Sequence, residues 1–234
     1  RRRRLPRERV VGKLDRLAIA GGDGTLHAAT QELARTNTVM GILAQGTANN
    51  LATALRLPRD LPSAFRTIAE GDVRAIDLGE IDGYYFTEGA GAGVFADTLA
   101  IASVGRTKSI PRTLRTLLQL IITNRQYRLT LVVDGVQYTE EVLNVVVANT
   151  FCLGLNLPIA PHARLTDSRL DVVVIKALQR REWIPYLKAI RTQSHLNLPK
   201  IVTFTGREIE IRSRRPINVH IDDRASRRTP VKIR

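Results

Sequence analysis

Short apolar runs, each broken by glycine and followed by helical spacing, open the chain. Leu17-Ala18-Ile19-Ala20 reads as a short buried strand, Gly21-Gly22-Asp23-Gly24-Thr25 turns it, and residues 26–35 continue with the period of a helix. The pattern then repeats. Met40-Gly41-Ile42-Leu43-Ala44 is a second apolar strand, Gln45-Gly46-Thr47-Ala48-Asn49-Asn50 a second turn, and a helix follows to Arg56, with Pro58 marking its end. Two strand–glycine–helix units in succession predict parallel strands in an α/β sheet, with both turns at the carboxyl edge where such sheets bind ligands. A third helix is expected over 61–70, with Gly71 as its stop.

From residue 73 the texture changes to alternation and tight turns, as in antiparallel β structure. Residues 75–81 and 84–87 flank Asp82-Gly83, and 127–133 and 136–147 flank Asp134-Gly135, the strongest hairpin signal in the chain. Gly89, Gly91 and Gly93 suggest close backbone packing rather than another phosphate loop, since no strong strand-to-helix switch surrounds them. Helices are expected over 114–123 and 181–191, a buried strand over 170–175, and several strands over 201–234. The change at 73 divides the chain into an α/β domain, 1–72, and a mainly antiparallel β domain, 73–234.

Glycine turns between strand and helix suit polyphosphate, because backbone N–H groups approach it unobstructed and the helix N-terminus adds partial positive charge. A tight turn with no ligand is the plainer alternative. The formal charge of +14 implies an anionic partner: nucleic acid, an anionic membrane surface or a phosphorylated ligand. Arginines cluster at 1–16 and 207–234 without aromatic interleaving, and no nucleic-acid motif is present, so nucleic acid is set aside. A solvated basic face stands beside an anionic-lipid contact as the reading of these runs. The single cysteine, Cys152, excludes an internal disulfide and reads as a small hydrophobe in a reducing, cytoplasmic setting. No apolar run approaches the ~18 residues of a membrane span.

The ordered motifs resemble the catalytic domain of the diacylglycerol kinase family, including bacterial lipid kinases and sphingosine kinases, with NAD kinases more distant. The resemblance rests on Gly21 to Thr25, Gly46-Thr47-Ala48-Asn49, Ile76-Asp77-Leu78-Gly79, Asn149, Ile159-Ala160-Pro161-His162-Ala163 and Leu165-Thr166-Asp167-Ser168-Arg169-Leu170-Asp171. It implies an α/β nucleotide-binding domain lacking its first elements, then a β-sandwich domain whose last strand returns to the interdomain cleft. ATP is expected in that cleft and a lipid hydroxyl as acceptor, with a homodimer among the assemblies entertained. Gly21, Gly22, Asp23, Gly24, Thr25, Gly46, Thr47 and Asn49 match nucleotide-binding positions. Asp167, with the backbone carbonyls of Arg164 and Arg169, matches a magnesium site, and Asp23 and Asp77 match acidic positions joined to the metal through water.

The chain also departs from that pattern. The family's catalytic glutamate, which follows an Asp-Gly pair, falls here on Arg224 of Asp222-Asp223-Arg224, and a guanidinium stays protonated at neutral pH. Asp223 is the substitute proton acceptor. Asn50 stands in place of an aspartate, His27-Ala28 in place of Asn-Glu, and Ser168 in place of a glycine; the family's earlier glycine loop is absent. The resemblance therefore predicts an ATP- and magnesium-dependent lipid kinase at the membrane periphery, with a catalytically impaired nucleotide- or lipid-binding relative as the alternative. A kinase of a soluble substrate ranks last. His162 and His220, beside acids, read as surface hydrogen-bond partners. Trp183 and Tyr186, three apart, read as core, with an acyl-chain groove as the other option.

Overall fold

In the computed structural model, which describes residues 14–102, 115, 118–119, 122–154 and 156–234, the opening strand β1 (Arg16–Gly21) runs parallel to β2 (Val39–Ala44), with Arg16 opposite Val39 and Gly21 opposite Ala44. Between them lies α1 (Asp23–Leu33), whose Leu26, His27, Thr30 and Leu33 form the buried stripe expected of a helix on a sheet. The helix starts at Asp23, inside the glycine motif and earlier than its apolar spacing suggested, because the Gly22 carbonyl already accepts Thr25 N–H (2.8 Å) and Leu26 N–H (3.1 Å). It also ends at Leu33 rather than at Arg35, which takes a left-handed φ of 65°. Helices α2 (Asn50–Ala54) and α3 (Leu61–Glu70) complete this unit. Asp60 caps α3 by accepting Ser63 N–H at 2.9 Å, and Ile68 packs on the bare backbone of Gly41. The expectation of a buried β1 fails: its residues alternate exposed and half-buried. Among the described residues β1 pairs with β2 alone, and its Arg16, Ala18 and Ala20 are exposed.

A second compact unit begins at Asp77. It is built on an antiparallel sheet, with eleven strands among the described residues. Its strands are β3 (Gly79–Ile81), β4 (Tyr84–Phe86), β5 (Gly89–Gly93), β6 (Tyr127–Val133), β7 (Val136–Ala148), β8 (Leu170–Lys176), β9 (Ile201–Gly206), β10 (Ile209–Ser213), β11 (Asn218–Ile221), β12 (Arg224–Arg228) and β13 (Val231–Ile233). The order is β12-β11-β5-β7-β6-β10-β13-β3-β4, with β8 added on β7 and β9 on β8. Asp134 and Gly135, both at positive φ (47° and 86°), make the β6–β7 hairpin as the sequence predicts. The long strand β7 then changes character. Its first half pairs with β6 and alternates in exposure; its second half lies between β5 and β8 and is buried on both faces.

Residues 75–78 do not form a strand, because the Asp77 N–H goes to the Leu165 carbonyl (2.7 Å) rather than into a ladder. The glycine strand β5 is fully buried: a Cβ on Gly91 would lie 2.1 Å from the Val145 carbonyl oxygen, so close packing does require glycine there. Contrary to the sequence reading, a strand-to-helix switch follows. Gly93, at φ 122°, passes the chain straight into α4 (Val94–Ala102). The helix expected over 114–123 lies largely outside the described residues. The one over 181–191 opens with a 3-10 turn (Arg180–Glu182) before α5 (Trp183–Arg191). Trp183 and Tyr186 point inward from α5 into the core, which leaves no acyl groove along them.

Candidate functional site

Within the first unit the two glycine turns press backbone on backbone. A Cβ on Gly46 would lie 2.4 Å from the Gly22 Cα, and one on Gly22 would lie 2.8 Å from the Gly46 Cα. A third constraint closes the first turn, since a Cβ on Gly21 would strike the Thr25 side chain at 2.6 Å. Asn49, at a left-handed φ of 54°, spends its side chain on the second turn: Oδ1 accepts Gly46 N–H and Nδ2 donates to the Gly46 carbonyl, both at 2.8 Å. It is a buried shaper of the loop, whereas Thr25 and Thr47 are exposed.

Asp23 is the charged group of this unit's site. Burial raises its pKa, against the opposing pull of the Leu51, Asn49 and Asn50 N–H groups. Those amides face the carboxylate without bonding Oδ1, which is buried and has no hydrogen-bond partner, so burial prevails. Asn50 is buried beside it. An aspartate there would add a second negative charge to the same desolvated corner; the amide avoids that cost.

The second unit assembles its polar groups around Asn149. Its Nδ2 donates to the carbonyls of Asp77 (2.9 Å) and Thr87 (3.1 Å). From Asp77 the chain of contacts runs to the 167–169 turn: Asp77 Oδ2 accepts Ser168 N–H at 2.6 Å, and Asp167 Oδ1 accepts Arg169 N–H at 3.1 Å. Ser168 holds a left-handed φ of 56°. Nearby, burial first and then the Asp167 charge raise the Asp171 pKa, opposed by a Thr205 hydroxyl bond and by His162. Asp167, Arg164 and Arg169 are exposed. Carboxylate oxygens together with backbone carbonyls are the donor chemistry a hard divalent cation takes. No group of three His, Cys, Asp or Glu side chains converges as a metal cluster among the described residues.

From Thr87 the contacts run the other way, to Asp222. Its buried carboxylate accepts Glu88 N–H (2.9 Å), Gly89 N–H (3.1 Å), Thr87 N–H (3.2 Å) and the Thr87 hydroxyl (3.3 Å). Its carbonyl accepts the Nδ1–H of His220 at 3.2 Å. His220 is completely buried, stacked edge-on against Phe95 at 4.8 Å, and burial lowers its pKa to about 4. The surface role expected of His220 is therefore wrong: the imidazole sits on the glycine face of β5, where Gly91 leaves it room. Asp223, next in the turn, is 38% exposed and lies 3.4 Å from the Arg224 guanidinium, itself 54% exposed. The sequence reading missed Thr87, the burial of His220 and the anchoring work of Asp222. One signal was available for Asp222, which with Asp223 begins a turn at positive φ (48°), a conformation aspartate tolerates. His195, which no motif marked, is likewise buried and donates Nε2–H to the Ile159 carbonyl (2.8 Å), holding the loop before the 167–169 turn.

A parallel βαβ unit with abutting glycine turns, followed by a curled antiparallel sheet carrying polar turns, is the architecture of an NAD kinase-like phosphotransferase. Residues 2–81 match the diacylglycerol kinase catalytic domain, and residues 90–234, more than half of the chain, match the YegS C-terminal NAD kinase beta sandwich-like domain. The chain belongs to this diacylglycerol kinase-like family. It is 25% identical over 229 residues to diacylglycerol kinase of Bacillus subtilis (strain 168), covering 92% of this chain and 73% of that protein. It is 26% identical to diacylglycerol kinase of Staphylococcus carnosus (strain TM300), covering 87% and 68%. The crystal structure of a diacylglycerol kinase from Bacillus anthracis str. Sterne shares the fold, with a TM-score of 0.71 at 22% identity over 95% of this chain and 74% of that one.

Proposed function

We propose that this protein transfers the γ-phosphoryl group of ATP to a hydroxyl of diacylglycerol or a related lipid. The observation that carries the reading is the Gly22–Gly46 contact, which leaves two amide-bearing turns bare of side chains on one edge of the βαβ unit. Gly21, Gly22, Asp23, Gly24 and Thr25, with Gly46 and Thr47, hold the phosphates; Asn49 keeps the second turn in shape. Asp167 and the Arg164 and Arg169 carbonyls would hold magnesium, with Asp77 orienting their turn through Ser168 and lying within reach of the ion through water. When bound, the ion neutralises charge on the phosphoryl group in flight. Asp223 takes the proton of the attacking hydroxyl. The lipid is met through peripheral contact with an anionic membrane surface, to which the net charge of +14 is suited; no helix among the described residues is long and apolar enough to cross a membrane.

A second reading has its own observation. Arg224 neutralises Asp223 and stands where the family carries its base, which favours a member that binds nucleotide but turns over slowly. One assay separates the two: labelled ATP, magnesium and diacylglycerol in detergent micelles, alongside nucleotide binding by calorimetry. Labelled lipid phosphate is expected. Binding without product, with product restored by Arg224→Glu, decides for the impaired member; absence of both binding and product removes both readings.

A further inference from the structure

Helix α5 carries the most exposed large apolar side chain among the described residues. Ile184 is 78% open to solvent, near the start of a helix whose other face is locked inward. Trp183, Tyr186, Ala189 and Ile190 are buried; Trp183 Nε1–H donates to Asn124 Oδ1 (3.2 Å), and the Tyr186 hydroxyl accepts Lys200 N–H (3.2 Å). The helix has no freedom to roll and hide Ile184. Arg181, Lys188 and Arg191 lie three, four and seven positions from it, on the same outer face, and Arg180 precedes them in the 3-10 turn. Among the described residues no carboxylate forms an ion pair with these four cations. The adjacent acid, Glu182, feels the Arg181 charge but bonds Gln179 N–H and Lys200 Nζ, each at 2.6 Å.

A branched aliphatic ringed by cations and fixed on a rigid helix matches one kind of surface. We infer that the outer face of α5 docks on an anionic phospholipid bilayer, with Ile184 entering the interface and Arg180, Arg181, Lys188 and Arg191 meeting the headgroups. Nucleic acid offers the cations a partner but gives an exposed isoleucine nothing apolar to enter, whereas a bilayer supplies both layers in the order the helix presents them. The inference rests on the kinase reading only in that a lipid substrate gives the docking its purpose.

The test is cosedimentation of the whole protein with vesicles of equal parts phosphatidylglycerol and phosphatidylcholine. Each charge removed near such a surface weakens binding by roughly fivefold, so Arg181→Glu/Lys188→Glu is expected to reduce partitioning by well over tenfold. Ile184→Ser is expected to reduce it several-fold, including at salt concentrations where the charge contribution is screened. The charge-matched Arg66→Glu/Lys232→Glu variant, on exposed sites elsewhere, is expected to lose much less. Equal losses in the two double variants, or an unchanged Ile184→Ser, overturn the assignment, since binding would then follow net charge alone. Lipid phosphorylation in detergent micelles should be unaltered by the α5 variants. Micellar inactivity of the unaltered protein counts against the kinase reading and leaves the vesicle comparison intact.

Discussion

The protonation of His220 is fixed by the groups packed around it. Its Nδ1–H holds the Asp222 carbonyl, its Nε2 has no partner, and the Gly91 backbone and Phe95 ring close around it. Burial keeps it neutral, with a pKa of about 4 against an ordinary 6.5. The folded protein therefore binds fewer protons than the unfolded chain between those values, and stability falls as pH drops through that window. The contribution is fully present above pH 6.5 and lost by pH 4, amounting to about 3 kcal/mol. Denaturant unfolding from pH 7 to pH 4 should show this fall, and His220→Gln should flatten that part of the profile; an equally steep profile in the variant removes His220 as its source. Little of this was legible in the sequence. His-Ile-Asp-Asp says that acids are near the imidazole, but burial is decided by β5, more than a hundred residues away, whose glycines leave the space the ring fills. Asp222 and Asp223 look interchangeable as letters, yet one is consumed by three backbone amides and a hydroxyl while the other stays half-exposed beside Arg224.

At the scale of elements, the two strand–glycine–helix units were legible because their signals are local. An apolar run, a glycine turn and a 3.6-residue period need no distant partner, and β1, α1 and β2 follow them closely. What local signals cannot show is that the two turns touch. The Gly22–Gly46 contact makes a specific demand: alanine at 46 places a Cβ against backbone, which has no rotamer with which to give way. Gly46→Ala should therefore part the turns, destabilise the first unit by roughly 1–3 kcal/mol and weaken ATP binding more than tenfold. Titration calorimetry and thermal unfolding of the variant check both parts. Retained affinity would mean that the paired turns do not form the phosphate seat. The glycine strand β5 gives the complementary lesson. Its spacing announced close packing, but the direct passage into α4 was hidden because Val94 to Ala102 carries an almost uniformly apolar run instead of an amphipathic period.

For the whole chain, the division of the core between the two units sets the order in which they open. Among the described residues the buried apolar side chains of the first unit are few, Leu26, Leu33, Ile42, Leu43, Leu51, Ala52 and Ala64, around the paired strands β1 and β2. The second unit has one continuous cluster from Ile81 to Ile233, with β7 clamped between neighbours on both sides. Exposed backbone and a small core lower the free energy of local opening, so hydrogen exchange in β1, α1 and β2 should run ahead of exchange in Val145, Val146 and Val147. ATP with magnesium adds a discriminating step. A ligand held at the glycine turns stabilises the state that holds it by about 2.7 kcal/mol at a hundred times its dissociation constant. That protection should appear at the amides of 21–26 and 46–54 while the slowest amides of β7 keep their rates. Protection confined to the β-sheet unit would place the nucleotide elsewhere, and exchange of both units in a single event would show that the small core does not open alone.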